Sequence, residues 1–190
     1  MIIVGVGIGP GMMTREAEEA VSRAGLIYGS KRSIDLAREC IHPDCQVLEI
    51  KDYKKLSSLP EDAVVLSTGD PMLSGLGYLP GRVIPGISSL QVACARLKIS
   101  ELNVVPITVH GRRMDPEAIA SELNRNKSVF LLTDESTDLE GLCRYLEKQG
   151  LARSVFALVD LGYPQEKIMR GSTASPPHAP GLSCVLIGPL

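Results

Sequence analysis

Along the chain, short apolar runs rich in β-branched residues alternate with longer stretches whose apolar positions recur every three or four residues. The first kind predicts buried strands and the second amphipathic helices. Ile2 to Val6 is the first such strand, and it runs into four alternate glycines, Gly5, Gly7, Gly9 and Gly11. A helix from about Met13 to Ala24 follows. It starts near Thr14, carries Glu16, Glu18 and Glu19 where acids favour the helix dipole, and stops at Gly25. Strand, glycine turn and helix make half of a βαβ unit. Leu26 to Tyr28 and Val47 to Ile50 read as strands, with a helix between them that is capped by Ser30 or Ser33 and reaches about Glu39. Lys51-Asp52-Tyr53-Lys54-Lys55 reads as a solvated loop.

Ala63 to Leu66 is a buried strand, broken by Ser67-Thr68-Gly69-Asp70-Pro71. Arg82 to Ile84 stops at Pro85-Gly86. Ser88-Ser89-Leu90-Gln91 then has capping-box spacing ahead of a helix to about Leu97. A strand from Val104 to Val109 completes an open, mainly parallel sheet. After His110-Gly111-Arg112-Arg113 the pattern restarts. Asp115-Pro116-Glu117 starts a helix to about Asn124. Ser128 to Thr133, Val155 to Asp160, Lys167 to Arg170 and Leu182 to Ile187 are strands, and Asp138 to Gln149 is a helix closed by Gly150. Ser172 to Gly181 is a loop with three prolines. The expected fold class is α/β, in two domains with open, mainly parallel or mixed sheets, at 1–110 and 114–190.

Composition narrows the picture. The apolar fraction of 44% supports a real core, and with 4% aromatics and no Trp that core is aliphatic. A net charge of −2 gives neither nucleic acid nor an anionic membrane surface a basic excess to bind. No apolar run reaches the length of a membrane span, and the first residues enter a strand without a signal-peptide pattern, so a cytoplasmic protein is expected. The five cysteines are scattered, which argues against a disulfide framework. Cys40-Ile-His-Pro-Asp-Cys45 encloses His42, but no second ligand pair accompanies it, and no metal is expected.

The candidate chemistry lies where the strands end. Asp70, Ser88 and Ser89 stand at the carboxyl ends of two strands beside a helix start, where open α/β sheets bind small ligands. A dinucleotide site is the rival reading of the first glycines. It expects an acid at the end of the second strand, where Gly29-Ser30-Lys31-Arg32 stands instead. Those cations suit NADP, but Pro10 disturbs the loop that such a site requires. There is no Walker A sequence, no Gly-x-Ser-x-Gly elbow and no His-Glu-x-x-His, which disfavours a hydrolase and leaves the catalytic residue unknown.

Val4-Gly5-Val6-Gly7-Ile8-Gly9-Pro10-Gly11, Gly69-Asp70-Pro71, Pro85-Gly86-Ile87-Ser88-Ser89, Val109-His110-Gly111-Arg112 and Glu166-Lys167-Ile168-Met169-Arg170-Gly171-Ser172 occur in this order. In this the chain resembles the tetrapyrrole (corrin/porphyrin) methylases. The His-Gly-Arg piece is most similar to the branch that methylates C5 of precorrins. The resemblance implies two α/β domains with S-adenosylmethionine (SAM) in the cleft between them, a homodimer, and a late precorrin or cobalt-precorrin of cobalamin biosynthesis as substrate. It implies cofactor contacts at Ile8, Gly69, Asp70, Leu73, Ser88 and Ser89 and, from strand order, at Leu132, Leu161 and Ser183. It implies substrate contacts at Gly9, Pro10, His110 and Arg112. Arg pairs carboxylates bidentately, which suits a precorrin. Methyl transfer to an electron-rich meso carbon needs no obligatory base. Met12-Met13 stand where family members often carry an acid. Some members of this branch fuse a decarboxylating, C15-methylating domain for which this chain has no room, so a separate partner enzyme is expected to supply it. The alternatives are a tetrapyrrole methylase of other regiospecificity, a diphthine synthase, an NADP-linked oxidoreductase, and a ligand-binding module without turnover.

Overall fold

A computed structural model gives the fold and describes residues 1–178 and 183–188. The chain forms two compact units, Met1–Ser89 and Leu90–Leu190.

The first unit is built on strands β1 (Ile2–Gly5), β2 (Leu26–Gly29), β3 (Gln46–Glu49), β4 (Val64–Ser67) and β5 (Arg82–Ile84), and helices α1 (Arg15–Ser22), α2 (Lys31–Ala37) and α3 (Pro71–Ser74). All strand pairs in it are parallel, in the order β3-β2-β4-β1-β5. Parallel sheets are covered on both faces, and the residues show it. Ile3 and Val65 pack on one face with Leu56 and Leu79, while Val4, Val64 and Leu66 pack on the other with Val21 and Ile27. This is why β1 and β4 read as continuous apolar runs rather than alternating ones. Helix α1 starts where the sequence places it, with the Thr14 hydroxyl accepting from the Ala17 N–H. Ser30 caps α2 by accepting from the Ser33 N–H. The expected loop at Lys51–Lys55 enters a 3₁₀ helix instead, Tyr53–Ser58. Asp52 caps it, and Leu56 buries itself among the charges.

Helix α4 (Ser89–Leu97) follows, then β6 (Val104–Thr108), α5 (Pro116–Asn124), β7 (Ser128–Leu132), α6 (Leu139–Lys148), β8 (Ser154–Val159), β9 (Lys167–Ser172) and β10 (Ser183–Gly188). The second sheet is mixed, in the order β6-β7-β10-β8-β9, with only β6 and β7 parallel. The strand at Val104 thus does not complete the first sheet, as its position suggested. It pairs in parallel with β7 through the α5 crossover and so lies in the compact unit Leu90–Leu190. Leu142, Cys143 and Leu146 of α6 pack with Ile119 and Leu123 of α5 on Val129, Leu131, Val155, Val185 and Ile187. Asp115 and Asp138 cap α5 and α6 as their sequence positions predict. Leu182, expected to begin the last strand, and residues 179–181 of the proline-rich loop lie outside the described residues.

Candidate functional site

In the first sheet the connection after β1 leads toward β2, while the one after β4 leads across β1 to β5. These two connections leave neighbouring strands in opposite directions, and the carboxyl edge between such strands is where an open α/β sheet leaves a crevice. The turns bordering it are the glycine turn after β1, the Gly-Asp-Pro turn after β4 and the Pro-Gly turn after β5.

Backbone holds these turns together. Gly69 donates its N–H to the Gly7 carbonyl at 2.8 Å, and both residues sit in the left-handed region, at φ 71° and 74°. Gly5, Gly69 and Gly86 stack without room for side chains. A Cβ on Gly5 would lie 2.5 Å from the Gly86 nitrogen, and one on Gly86 would lie 2.2 Å from the Gly69 oxygen. Glycine here permits close approach of three chain segments.

Asp70 ties the bracket across. Its Oδ1 accepts from the Met72 N–H at 2.7 Å, capping α3, and its Oδ2 accepts from the Gly86 N–H at 3.0 Å. Ile8 is buried, and its carbonyl accepts a 2.7 Å hydrogen bond from the Arg32 guanidinium at the start of α2. Leu73 is half-buried beside the Asp70 turn, Gly9 is buried and Pro10 exposed. Ser88 is buried directly ahead of α4, and Ser89 is the first residue of that helix. The structure therefore brings the turns carrying Ile8, Gly69, Asp70 and Leu73 to one edge, against the turn that leads into Ser88 and Ser89.

This edge is poorly suited to a dinucleotide. The expected pyrophosphate seat is a helix N-terminus immediately after the glycines. Here α1 begins only at Arg15, and the Thr14 side chain already satisfies the Ala17 N–H. Arg32, a candidate for a 2′-phosphate, turns into the glycine turn and donates to Ile8. Asp70 places a carboxylate on the rim, which repels a pyrophosphate and suits a cation.

In the second unit, Leu132, at the end of β7, pairs with Cys184 of β10. The next residue, Thr133, donates from its hydroxyl to the Ser183 carbonyl at 2.8 Å. Leu132 and Ser183 thus share one sheet edge. The Leu132 carbonyl also accepts from the Val109 and His110 N–H groups, both at 3.0 Å. That fixes the His110-Gly111-Arg112 turn to the same strand end, with His110 and Arg112 exposed. Asp134 completes the turn by accepting from the Gly111 N–H at 2.6 Å. Hydrogen bonds from the Ser136 hydroxyl, then from Gly111, together with the Ser136 N–H and the Thr137 hydroxyl, outweigh desolvation and hold the Asp134 carboxyl down to about 2. Leu161 is buried in the turn after β8.

Sequence reading missed Thr133 and Asp134, gave Glu166 no role, and weighed Arg32 only as a cation that suits NADP. Only one of them left a signal. Arg32 is a cation in the first turn of a helix with no acid there, which the helix dipole disfavours and which suggests another task.

The model of the tetrapyrrole (corrin/porphyrin) methylases matches residues 1–177. A "probable cobalt-precorrin-7 C(5)-methyltransferase" of Methanocaldococcus jannaschii is 31% identical over 185 residues, covering 86% of this chain and 85% of the relative. The decarboxylating precorrin-6Y C(5,15)-methyltransferase of Sinorhizobium is 25% identical over 88% of this chain, which spans only 44% of that longer protein. Among solved structures, a precorrin-6Y methylase of Archaeoglobus fulgidus aligns with a TM-score of 0.77 at 28% identity, over 100% of this chain and 98% of the other. A match that runs from the first strand through β9 takes in both sheets, and the chain belongs to the tetrapyrrole (corrin/porphyrin) methylases.

Proposed function

We propose that this chain methylates C5 of a late precorrin or cobalt-precorrin in cobalamin biosynthesis. Membership of the tetrapyrrole methylases makes it a SAM-dependent methyltransferase. The observation that carries the C5 assignment is the M. jannaschii relative, similar over 86% of this chain.

The residues present fit the cofactor. Its sulfonium and ammonium are cationic, and Asp70 offers an acid on a rim that is otherwise backbone, with apolar Ile8 and Leu73 nearby. When bound, SAM supplies a methyl group already activated on sulfur. The task left to the protein is to orient and to exclude water. Each Asp70 oxygen accepts from a backbone N–H, so the residue braces the Gly69–Gly86 bracket. Ser88 and Ser89 place hydroxyls at the start of α4. Leu132, Leu161 and Ser183 are the cofactor residues of the second unit. Gly9 and Pro10 in the first glycine turn, and His110 and Arg112 in the second unit, contact the substrate. The guanidinium of Arg112 pairs its carboxylates. The precorrin carbon is itself the nucleophile, so no base is assigned to the transfer step.

The same reading makes the enzyme a cytoplasmic homodimer. Among the described residues, no helix is long and apolar enough to cross a membrane.

Calorimetric titration with S-adenosylhomocysteine (SAH) and with NADPH, on wild type and Asp70→Ala, tests the cofactor assignment. Binding of SAH at roughly micromolar strength, weakened by the substitution, is expected. Binding of NADPH alone overturns it. Turnover of cobalt-precorrin-7 with ¹³C-methyl SAM, read by NMR, tests the position. Label on any carbon other than C5 refutes the regiospecificity while leaving the family reading intact.

A further inference from the structure

We propose that Glu166 and Arg96 act as a positioning pair for the turn that carries Leu161, and that cofactor affinity depends on this pair. The inference rests on the reading above that Leu161 contacts the cofactor.

Strand β8 ends at Val159, and the chain then takes an unusual path. Asp160 adopts φ 49°, a conformation that non-glycine residues rarely hold, and Gly162 adopts φ 86°. Such geometry persists only when the surroundings over-determine it, and it collects at ligand clamps. Leu161 is buried between these two residues, so the turn that they shape sets where its side chain sits.

A carboxylate braces this turn. Glu166 Oε2 accepts from the Gly162 N–H at 2.8 Å, and Oε1 accepts from Arg96 Nε at 2.7 Å. Two backbone bonds of 3.0 Å, Tyr163 N–H to the Asp160 carbonyl and Glu166 N–H to the Tyr163 carbonyl, close the loop beneath it. The Glu166 side chain is only 18% exposed, against 45% for Arg96. Burial pushes the Glu166 carboxyl up, but the Gly162 N–H and Arg96 outweigh it and hold it below its ordinary value. Arg96 stands in the last turn of α4, the helix whose first residue is Ser89. One helix thus has a proposed cofactor residue at its start and, at its end, the cation that fixes the turn of another. Each oxygen of Glu166 is engaged by a group of the protein, Gly162 or Arg96, so the part proposed for it is positioning.

The test uses the full chain with Glu166→Ala, Glu166→Gln, Arg96→Ala and Arg96→Lys. SAH affinity is read by calorimetry below the melting temperature of every variant, and the Gly162 amide is followed by ¹⁵N NMR. Glu166→Ala and Arg96→Ala are each expected to shift the Gly162 amide and weaken SAH about tenfold. The double variant should be no weaker than Glu166→Ala, because both act through one carboxylate. Glu166→Gln keeps an acceptor for Gly162 and should recover part of the affinity, as should Arg96→Lys, which keeps the charge. A merely structural pair would lower the melting temperature and leave the affinity of the folded protein unchanged, and that result overturns the proposal. If wild type itself fails to bind SAH, the cofactor reading falls, and the dependence proposed for the pair falls with it. If wild type binds and the variants bind equally well, the pair alone is refuted.

Discussion

Gly86→Ala tests whether the backbone bracket sets the geometry of the cofactor edge. The added Cβ would lie 2.2 Å from the Gly69 oxygen, 2.8 Å from the Gly5 carbonyl carbon and 2.9 Å from its Cα. All three atoms are backbone, and none can swing away. Gly5 is paired in β1, and Gly69 is bonded to Gly7 at 2.8 Å. To restore ordinary contact the Gly69 turn must retreat by about 1 Å, and overpacking of this kind costs about 1–3 kcal/mol. The retreat also pulls Asp70 from the Gly86 N–H. The displaced turn should weaken SAH, and since misplacement of about 1 Å at a reacting centre can cost on the order of 10²-fold in rate, methyl transfer should fall by at least tenfold. Gly86 has no positive φ, so alanine introduces no backbone strain of its own, whereas at Gly69, at φ 71°, strain and crowding would be confounded. Gly25→Ala is the control, because a Cβ there meets nothing within 4 Å. Thermal melts and SAH calorimetry on both variants give the answer, with Gly86→Ala lowering the melting temperature by about 2–4 °C per kcal/mol. A Gly86→Ala protein that melts and binds like Gly25→Ala would refute the reasoning.

Arg32→Ala removes the guanidinium from the Ile8 carbonyl and should weaken SAH several-fold with little change in fold. Arg32→Lys, which loses the planar fork, should not fully restore binding. Asp134 titrates with a midpoint near 2, so whatever stability it contributes is fully present above its ordinary value of 3.8 and is lost as pH falls through about 2. A ¹³C carboxyl titration followed alongside the Gly111 amide checks this, and Ser136→Ala should raise the midpoint. Leu142→Ala removes a core side chain that is 1% exposed and should cost about 2–5 kcal/mol by denaturant titration, with SAH affinity of the folded protein retained.

Much of the fold was legible because its signals are local. Continuous apolar runs marked β1 and β4, since both of their faces are covered, and Thr14, Asp115 and Asp138 marked helix starts through hydroxyl or carboxylate caps. Two features were not legible in the same way. The Val104 strand carries no mark of which sheet it joins, because that is decided by its pairing with Ser128–Leu132 across the intervening α5. The charges at Lys51–Lys55 outvoted Leu56, the one apolar side chain that buries and draws the segment into a 3₁₀ turn.

The site divides along the same line. Gly69, Asp70 and Gly86 stood out because glycine, acid and proline at a strand end are rare choices that backbone geometry must justify. Asp134 and Glu166 did not stand out, because what matters about them is a partner 23 or 70 positions away, and Arg32 stood out only as a cation at a helix start, with nothing local to name Ile8, 24 positions away, as its acceptor. Asp70 shows the limit of the legible half. Residue type and place suggested a carboxylate offered to a ligand, whereas both its oxygens are engaged by Met72 and Gly86. A loss of SAH binding in Asp70→Ala therefore has two sources, a displaced turn and a missing negative charge. Asp70→Asn separates them. Its single carbonyl oxygen can keep only one of the two N–H bonds, and it removes the charge entirely. If the brace dominates, Asn should retain part of what Ala loses. If charge toward the sulfonium dominates, the two substitutions should weaken binding alike.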